Sequence, residues 1–515
     1  MKNVFLIGIG GTGMRCLESF VHTCAMGMYD NTDVHILALD TDSGNGNFDR
    51  LREVIDAYKK VNGNKAKSDT FFSAAINYYE FTPGYTDDSS FESISNYSNE
   101  RAHNDETHVS DLVDIFLDDS VRRMNLKHGY RAQTQMGSML MYHAIIKEAY
   151  KSSRNNTASQ LRDFLKILLS ADNQPVFVFG SVFGGTGASS IPIIPLAFRE
   201  ACKLIGGESK DIIDSNYFGS IVLTSYFRFD VNTASLNEVI AKSENFAINS
   251  QAALMFYNSD KTINEAYKRL YLLGRTTNES RDVLKGGAKG VTGGGEQRNP
   301  ADYIELIAAF AAFDFFRECS KDKDAFSRDG SKKFLCIAHN YGNGKLDFPL
   351  FAQESAEILK KKFGLLLAAS WLDMKGSDFF VSQATTRNMF SSINVDGEEL
   401  ANLKKYFGYF NVSVNENDQL IKGWVPQMYD SRGGEGILFN NNMFSYSDRK
   451  NYMKHKINEN LYVGENPPKF KVGLLSSITN EVKNAFANTA IDRSTTFDDL
   501  IARTYATLTK LYFNE

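Results

Sequence analysis

Cysteine is scarce in this sequence of 515 residues. The five that occur are an odd number, and they form neither a CxxC pair nor a zinc-binding spacing: Cys16, Cys24, Cys202, Cys319 and Cys336. A disulfide framework and a cysteine-bound metal are therefore not expected, whereas reduced thiols in a cytosolic compartment are. We predict a cytoplasmic protein.

Long apolar runs are absent as well. The N-terminal run, residues 4–9, has only six residues, Gly8 among them, before Gly10 and Gly11 interrupt it, which is too short for a signal-peptide core or a membrane span. The composition, 43% hydrophobic and 23% charged, is close to that of soluble globular proteins. Because 515 residues exceed what one hydrophobic core supports, we expect two domains.

Charge of one sign is not concentrated anywhere in the chain. The 57 Lys and Arg against 62 Asp and Glu give a formal net charge of −5, without a basic stripe that would neutralise a phosphate backbone. Nucleic acid is therefore not expected as a direct partner.

The histidines show no HExxH spacing, and no GxSxG motif precedes a helix. A zinc hydrolase or an α/β-type serine hydrolase is thus not indicated.

Glycine, by contrast, is concentrated at strand-to-helix turns. The pattern predicts a strand over 4–9, a helix over 14–28 and a second strand over 34–39. The turn Gly8-Ile9-Gly10-Gly11-Thr12-Gly13 presents bare backbone amides at a helix N-terminus, where hydrogen bonds and the helix dipole favour a phosphate. It also fits the dinucleotide fingerprint GxGxxG, and a plain tight turn has the same pattern.

Two carboxylates follow the second predicted strand. The strand ends in Leu39-Asp40-Thr41-Asp42, where a carboxylate could hold a ribose hydroxyl or a magnesium ion. Asp40 and Asp42 could equally be solvated residues at the end of a strand.

A second glycine turn changes the balance between these interpretations. Residues 180–190, with the sequence GSVFGGTGASS, again lie between a predicted strand and a predicted helix. Two anion-binding turns at one sheet edge predict one polyphosphate ligand, and the hydroxyls of Thr186, Ser189 and Ser190 add donors and possible metal contacts. The alternative is a small-residue turn that lets helix and sheet pack closely.

The second turn resembles the signature of the tubulin/FtsZ superfamily of GTP-binding, filament-forming proteins. That signature is GGGTGTG followed by small residues and a proline, and residues 183–189 read FGGTGAS with Pro192 in the matching place. The first glycine turn is similar to the family's first phosphate loop, and LDTD to its NTD loop. The segment 224–230, TSYFRFD, is similar to TKPFxFEG, and 299–316 to the family's central helix. The resemblance, to a divergent bacterial tubulin-like protein, covers about residues 1–320.

The resemblance implies an α/β architecture with three parts. Residues 1–298 would form a Rossmann-type, parallel-sheet GTP-binding domain, with a polar insertion over about 45–120. Residues 299–345 would hold the central helix and the loop after it, and 346–515 a C-terminal α+β domain.

The resemblance also implies GTP and Mg²⁺ as cofactors. The two glycine turns would bind the phosphates, Asp42 would hold the metal ion, and Asn299 with Asp302 would read the base. Residues 133–137 open a helix whose amides would reach the γ-phosphate, unless they are only a polar cap. The implied cofactor-binding residues are Gly10, Gly11, Thr12, Gly13, Asp42, Gly137, Gly184, Gly185, Thr186, Gly187, Ala188, Ser189, Asp230, Asn299 and Asp302.

Self-assembly follows from the same resemblance. Subunits would stack head to tail, and because such a contact does not close, they would form a filament. In this family, acidic residues of the neighbouring subunit complete hydrolysis, and Asp347 is the candidate here. The main partner would be another copy of the chain, and a membrane-linked or DNA-linked adaptor is left open.

Departures from the family pattern keep two other hypotheses open. Phe183, Ala188 and Ser189 replace signature residues, and Leu196 stands where cell-division members have an acidic ribose contact. A tubulin-like scaffold that has lost turnover is one alternative. The other is a Rossmann enzyme that uses the first turn alone to bind NAD or ATP, either an oxidoreductase or an adenylyltransferase-like protein.

Overall fold

The computed structural model describes most of the N-terminal 321 residues and shorter segments beyond them. The described residues are 3–94, 115, 117–127, 129–155, 157–170, 172–206, 211–228, 243–275, 281–282, 294–295, 297–321, 333–339, 358–359, 361–366, 369–370, 397–410, 412–414, 420–427 and 496–513.

A seven-stranded sheet forms the centre of the fold, and every neighbouring pair of its strands is parallel. Its strands are β1 (Asn3–Ile9), β2 (Asp33–Leu39), β3 (Ala75–Phe81), β4 (Pro175–Ser181), β5 (Tyr217–Leu223), β7 (Tyr267–Arg275) and β9 (Lys333–His339). The order across the sheet is β3-β2-β1-β4-β5-β7-β9. The expected α/β fold with a Rossmann-type parallel sheet is confirmed.

Among the described residues, four short strands lie outside this sheet. β6 (Phe227–Arg228) pairs with β8 (Arg281–Asp282) in parallel, and β10 (Val412–Val414) pairs with β11 (Leu420–Lys422) in antiparallel orientation.

Helices cover both faces of the main sheet, which explains why β1 and β4 read as continuous apolar runs. α1 (Gly10–Ala25), α2 (Gly46–Asn62) and the helix Tyr303–Lys321 share one hydrophobic core with one face. The helices Thr134–Asn155, Gln160–Ser170 and Ile194–Leu204 pack on the other. The other α-helices of the described residues are Phe91–Ile94, Asp119–Arg122, Gly185–Ser190, Ile212–Ser215, Phe246–Ser259, Lys261–Ala266, Gly397–Phe410, Trp424–Gln427 and Phe497–Phe513, and Ser243–Asn245 forms a 3-10 helix. Within the described residues, no helix has the length and apolarity needed to cross a bilayer.

The predicted polar insertion over 45–120 is wrong for its first half. Residues 46–62 form α2, which buries Phe48, Leu51 and Tyr58, and residues 75–81 form β3, an edge strand of the main sheet. An amphipathic helix keeps a charged outer face, and an edge strand keeps half-exposed polar positions. Both therefore read as surface in the sequence.

Parts of the C-terminal region share the core of the N-terminal one. Tyr406, Trp424 and Leu500 are buried in the same hydrophobic cluster as α1 and α2. Most of 346–515 lies outside the described residues, so the domain boundaries at 298 and 345 stay a prediction.

His22 marks the contact between α1 and the helix Gly397–Phe410. The side chain is fully buried, its Nδ1 lies 2.7 Å from the Tyr406 hydroxyl, and its ring lies 4.6 Å from that of Trp424. Burial lowers the pKa of His22 below its ordinary range, although Glu18 at 3.7 Å acts in the opposite direction.

We expect acid to weaken this contact. The unfolded chain takes up a proton on His22 near pH 6.5 while the native chain does not. Below that pH the unfolded state therefore binds more protons, and stability falls by at most about 1.4 kcal/mol per pH unit. Urea unfolding at about pH 7.5 and about pH 5.5 should show a smaller difference in His22→Phe than in the wild type. An equal difference in both proteins would contradict the assignment.

Candidate functional site

The two glycine turns meet at the C-terminal edge of the sheet. Gly10 follows β1 with φ +67°, a left-handed conformation that favours glycine. A methyl group added at Gly10 would lie 3.5 Å from Cβ of Thr186 and 3.8 Å from the amide nitrogen of Gly187. Although 176 positions separate Gly10 from Thr186 in the chain, the structure brings them so close that a single methyl group on Gly10 would touch Thr186.

Each turn leads directly into a helix. α1 begins at Gly10 and a short helix begins at Gly185, and neither N-cap residue, Ile9 or Gly184, caps its helix through a side chain. The first N–H groups of a helix have no partner within the helix. Gly10, Gly11 and Thr12 therefore present their amides in the first turn of α1, as Gly185, Thr186 and Gly187 do in the short helix. Such an arrangement suits an anion.

A third loop, residues 129–132, packs against the second turn. A methyl group added at Gly185 would lie 2.7 Å from the amide nitrogen of Ala132 and 2.9 Å from that of Arg131. Arg131 and Ala132 have φ values of +43° and +65°, which non-glycine residues rarely adopt. Uncommon backbone of this kind is frequent at functional sites. Sequence reasoning placed the third loop at 133–137 and missed these residues, because only their backbone conformation distinguishes them.

Oxygen atoms gather where the turns meet. The hydroxyls of Thr41 and Thr186 lie 3.3 Å apart, and Oδ1 of Asp40 lies 3.4 Å from the Thr41 hydroxyl. Asp40 is only 3% exposed, its Oδ1 accepts a hydrogen bond of 2.7 Å from the Thr41 amide, and its Oδ2 has no partner among the described residues. Burial raises the pKa of Asp40 to about 7.

Asp42, the predicted metal ligand, has a different environment. Its Oδ1 accepts a hydrogen bond of 3.1 Å from the Gly44 amide, and its Oδ2 accepts one of 2.5 Å from the Gly294 amide. The Gly46 amide in turn donates to the Gly294 carbonyl. Asp42 thereby ties residue 294 to the start of α2.

The predicted base-reading residues border the first turn. Asn299 and Asn47 form a reciprocal pair in which the Asn47 side-chain amide donates to Oδ1 of Asn299 and the Asn299 backbone donates to Oδ1 of Asn47, both at 3.0 Å. Asn47 Nδ2 also lies 3.1 Å from where a methyl group on Gly11 would sit. Asp302 accepts a hydrogen bond from the Ile304 amide at the start of the helix Tyr303–Lys321. Asp302 therefore caps that helix.

The remaining predicted residues that can be located serve packing. Gly137 lies against Tyr130 and Ser189, and the Ala188 carbonyl accepts a hydrogen bond from the Tyr257 hydroxyl. The Ser189 hydroxyl donates to the Thr186 carbonyl. Gly13 sits close to the backbone of β1 and β4. Asp230 and Asp347 lie outside the described residues.

A buried ionic cluster lies behind the first turn. Arg15 Nε is 2.5 Å from Oε1 of Glu305, Arg15 Nη2 donates to the Tyr226 hydroxyl, and that hydroxyl donates to Glu305. Arg15 is 5% exposed and Glu305 is 0% exposed. The Glu305 carboxylate helps raise the pKa of Arg15 and keeps the guanidinium charged, although burial opposes this. One signal was present in the sequence: a single acidic residue within the apolar run 304–313.

A magnesium nucleotide fits these groups. The amides of the two turns would bind phosphate oxygens, and the oxygens of Asp40, Thr41 and Thr186 are the hard ligands that Mg²⁺ prefers. Oδ2 of Asp40 has no hydrogen-bond partner among the described residues and would be available to such an ion.

Comparison with known proteins adds little to this description. No protein-family model matches the chain, and no curated protein matches it significantly. Among solved structures, a similar chain is TubZ of the Clostridium botulinum phage c-st, truncated at its C-terminal tail, with 14% identity and a TM-score of 0.20. The match covers 53% of this chain and 52% of that one, so this chain spans about half the length of the TubZ structure. A TM-score of 0.20 is too low to establish a shared fold.

Proposed function

We propose that this protein is a tubulin/FtsZ-like protein that binds GTP with Mg²⁺ and assembles into filaments. The observation that carries the proposal is the meeting of two glycine turns, where a methyl group on Gly10 would touch Thr186 and Gly187. Phosphates bound there would receive amides from two helix N-termini at once. The motif resemblance at residues 183–189 and 39–42 selects GTP among the phosphate ligands.

Assembly and hydrolysis extend this proposal. A second copy would cover the nucleotide from above, and Asp347 of that copy would activate the attacking water. Because one face of each subunit binds a different face of the next, the contact would propagate into a filament. Loss of the γ-phosphate would remove charge from the interface and weaken it. The cytoplasm is the expected location.

The strand order favours a second candidate. The order β3-β2-β1-β4-β5-β7 is that of dinucleotide-binding folds, in which an acidic residue at the end of β2 binds a ribose hydroxyl. Asp40 occupies that place, and the first turn fits the fingerprint. A Rossmann enzyme that binds NAD or ATP is therefore the alternative to a GTP-driven assembly.

Sedimentation combined with phosphate release distinguishes these functions. We expect the purified protein with Mg²⁺ to pellet and to release phosphate with GTP, but not with GDP, ATP or NAD. Asp347→Ala should still bind GTP and pellet, yet release phosphate more slowly. Pelleting without phosphate release in the wild type would favour the scaffold hypothesis. Binding of NAD or ATP in preference to GTP would overturn the proposal.

A further inference from the structure

We propose that Asp40, rather than Asp42, binds the divalent cation of the bound nucleotide, together with the hydroxyls of Thr41 and Thr186. This inference rests on the proposed nucleotide-binding function and assigns the metal site within it.

The burial of Asp40 supports this assignment. A carboxylate that is 3% exposed and has one oxygen without a partner among the described residues is unfavourable for folding. Such a group in a native protein calls for a reason, and a bound ion or a catalytic role is one. Asp40 Oδ2 is thus the atom at this sheet edge for which the described residues provide no partner.

The hydroxyls near Asp40, those of Thr41 and Thr186, also suit a cation. The distances from Asp40 Oδ1 to the Thr41 hydroxyl and from that hydroxyl to Thr186 are 3.4 and 3.3 Å. Both exceed the usual length of a hydroxyl hydrogen bond, about 2.7–2.8 Å. Three oxygens are therefore close together without being tightly bonded to one another. Mg²⁺ commonly takes one carboxylate, hydroxyl oxygens and substrate phosphates, and keeps water in its other positions.

There is space for a cation beside these hydroxyls, close to where the turns would bind phosphate. Thr186 is also the residue nearest to where a side chain on Gly10 would lie, so it stands where the two turns meet. A methyl group on Gly129 would lie 3.4 Å from the Thr41 hydroxyl and 3.6 Å from that of Thr186. Glycine at 129 therefore keeps bulk away from both hydroxyls. A cation held there would lie beside the phosphates that the turns bind.

Asp42 is the weaker candidate for the same task. Both of its oxygens already accept backbone hydrogen bonds, from Gly44 and Gly294. Its position is therefore set by the need to hold residue 294 against α2. We assign Asp42 a positioning role and Asp40 the contact with the cation.

The test measures binding of Mn²⁺ by electron paramagnetic resonance in the presence of GDP, and binding of a fluorescent GDP analogue with Mg²⁺ or with EDTA. We expect Asp40→Asn to weaken Mn²⁺ binding by about tenfold or more and to leave GDP binding in EDTA unchanged. Thr186→Val should weaken Mn²⁺ binding less. Asp33→Asn is the matched control, because Asp33 lies exposed at the opposite end of β2, and it should bind Mn²⁺ as the wild type does.

Three outcomes would overturn the inference. Wild-type Mn²⁺ affinity in Asp40→Asn together with lost affinity in Asp42→Asn would return the metal site to Asp42. An equal loss of GDP binding in Mg²⁺ and in EDTA would assign Asp40 to the ribose or to structure, and thermal unfolding of Asp40→Asn and Thr186→Val would show which. No GDP binding by the wild type would overturn the proposed function and this inference together.

Discussion

Replacement of Glu305 by alanine should lower the free energy of unfolding by about 3–5 kcal/mol. The variant would leave the Arg15 guanidinium, 5% exposed, without its carboxylate partner in the core. An uncompensated buried charge is far more costly than the absence of the whole pair. The hydroxyl of Tyr226 would also lose its acceptor.

A double variant distinguishes the net contribution of the ion pair to stability from the destabilisation caused by removing one partner. Replacing both partners, Arg15→Met with Glu305→Met, should recover most of the stability that the single variant loses, because neither charge of the pair remains. Asp56→Ala is the matched control, since it breaks the exposed pair of Asp56 and Lys60 on α2 and should cost under about 1 kcal/mol. Urea unfolding measures all three. A cost of Glu305→Ala no larger than that of Asp56→Ala would contradict the buried cluster.

The second large effect is expected at Gly185. Gly185→Ala would place a methyl group 2.7 and 2.9 Å from the backbone nitrogens of Ala132 and Arg131, and backbone atoms cannot move aside as a flexible side chain can. The variant must displace either the second glycine turn or the loop 129–132. Either shift moves the amides proposed to bind phosphate. We expect GDP affinity to fall by about tenfold or more, equivalent to about 1.4 kcal/mol.

Gly184→Ala is the control for this prediction. A methyl group on Gly184 would meet its nearest neighbour, the Ser181 hydroxyl, at 3.5 Å, which is an ordinary contact. The φ of −92° at Gly184 also suits alanine. The two variants differ by one position, so equal GDP affinities would show that the crowding at Gly185 does not control the site. Thermal unfolding of both proteins would distinguish a local shift from loss of the fold.

The parallel sheet was predictable from the sequence because its strands are marked locally. Residues 4–9 and 175–180 are apolar runs that lead into the glycine turns, and such runs are typical of strands buried on both faces. β3 was missed because an edge strand with half-exposed tyrosines lacks that mark. The resemblance indicated a central helix over 299–316, and the structure forms it over Tyr303–Lys321, with Asp302 at its start.

The site was predictable only as a set of turns. The segments GIGGTG and GGTG each predict an anion-binding strand-to-helix turn from a few neighbouring residues. They also occur in the order that the family resemblance implies. GTP, Mg²⁺, filament formation and the role of Asp347 stay predictions. The loop at Arg131 and Ala132 had no sequence mark, because its distinguishing feature is a backbone conformation.

Local chemistry thus determined which segments are strands, helices and phosphate-type turns, since those properties depend on side chains within a few positions of one another. The tertiary structure decided the roles of individual polar groups. Asp40 and Asp42 are equivalent in the sequence, yet only Asp42 meets the amide of Gly294, 252 positions away. Arg15 finds Glu305 across 290 positions in the same way. Contacts between residues so far apart in the chain depend on how the helices and loops pack over the sheet. Local sequence propensities do not determine that packing.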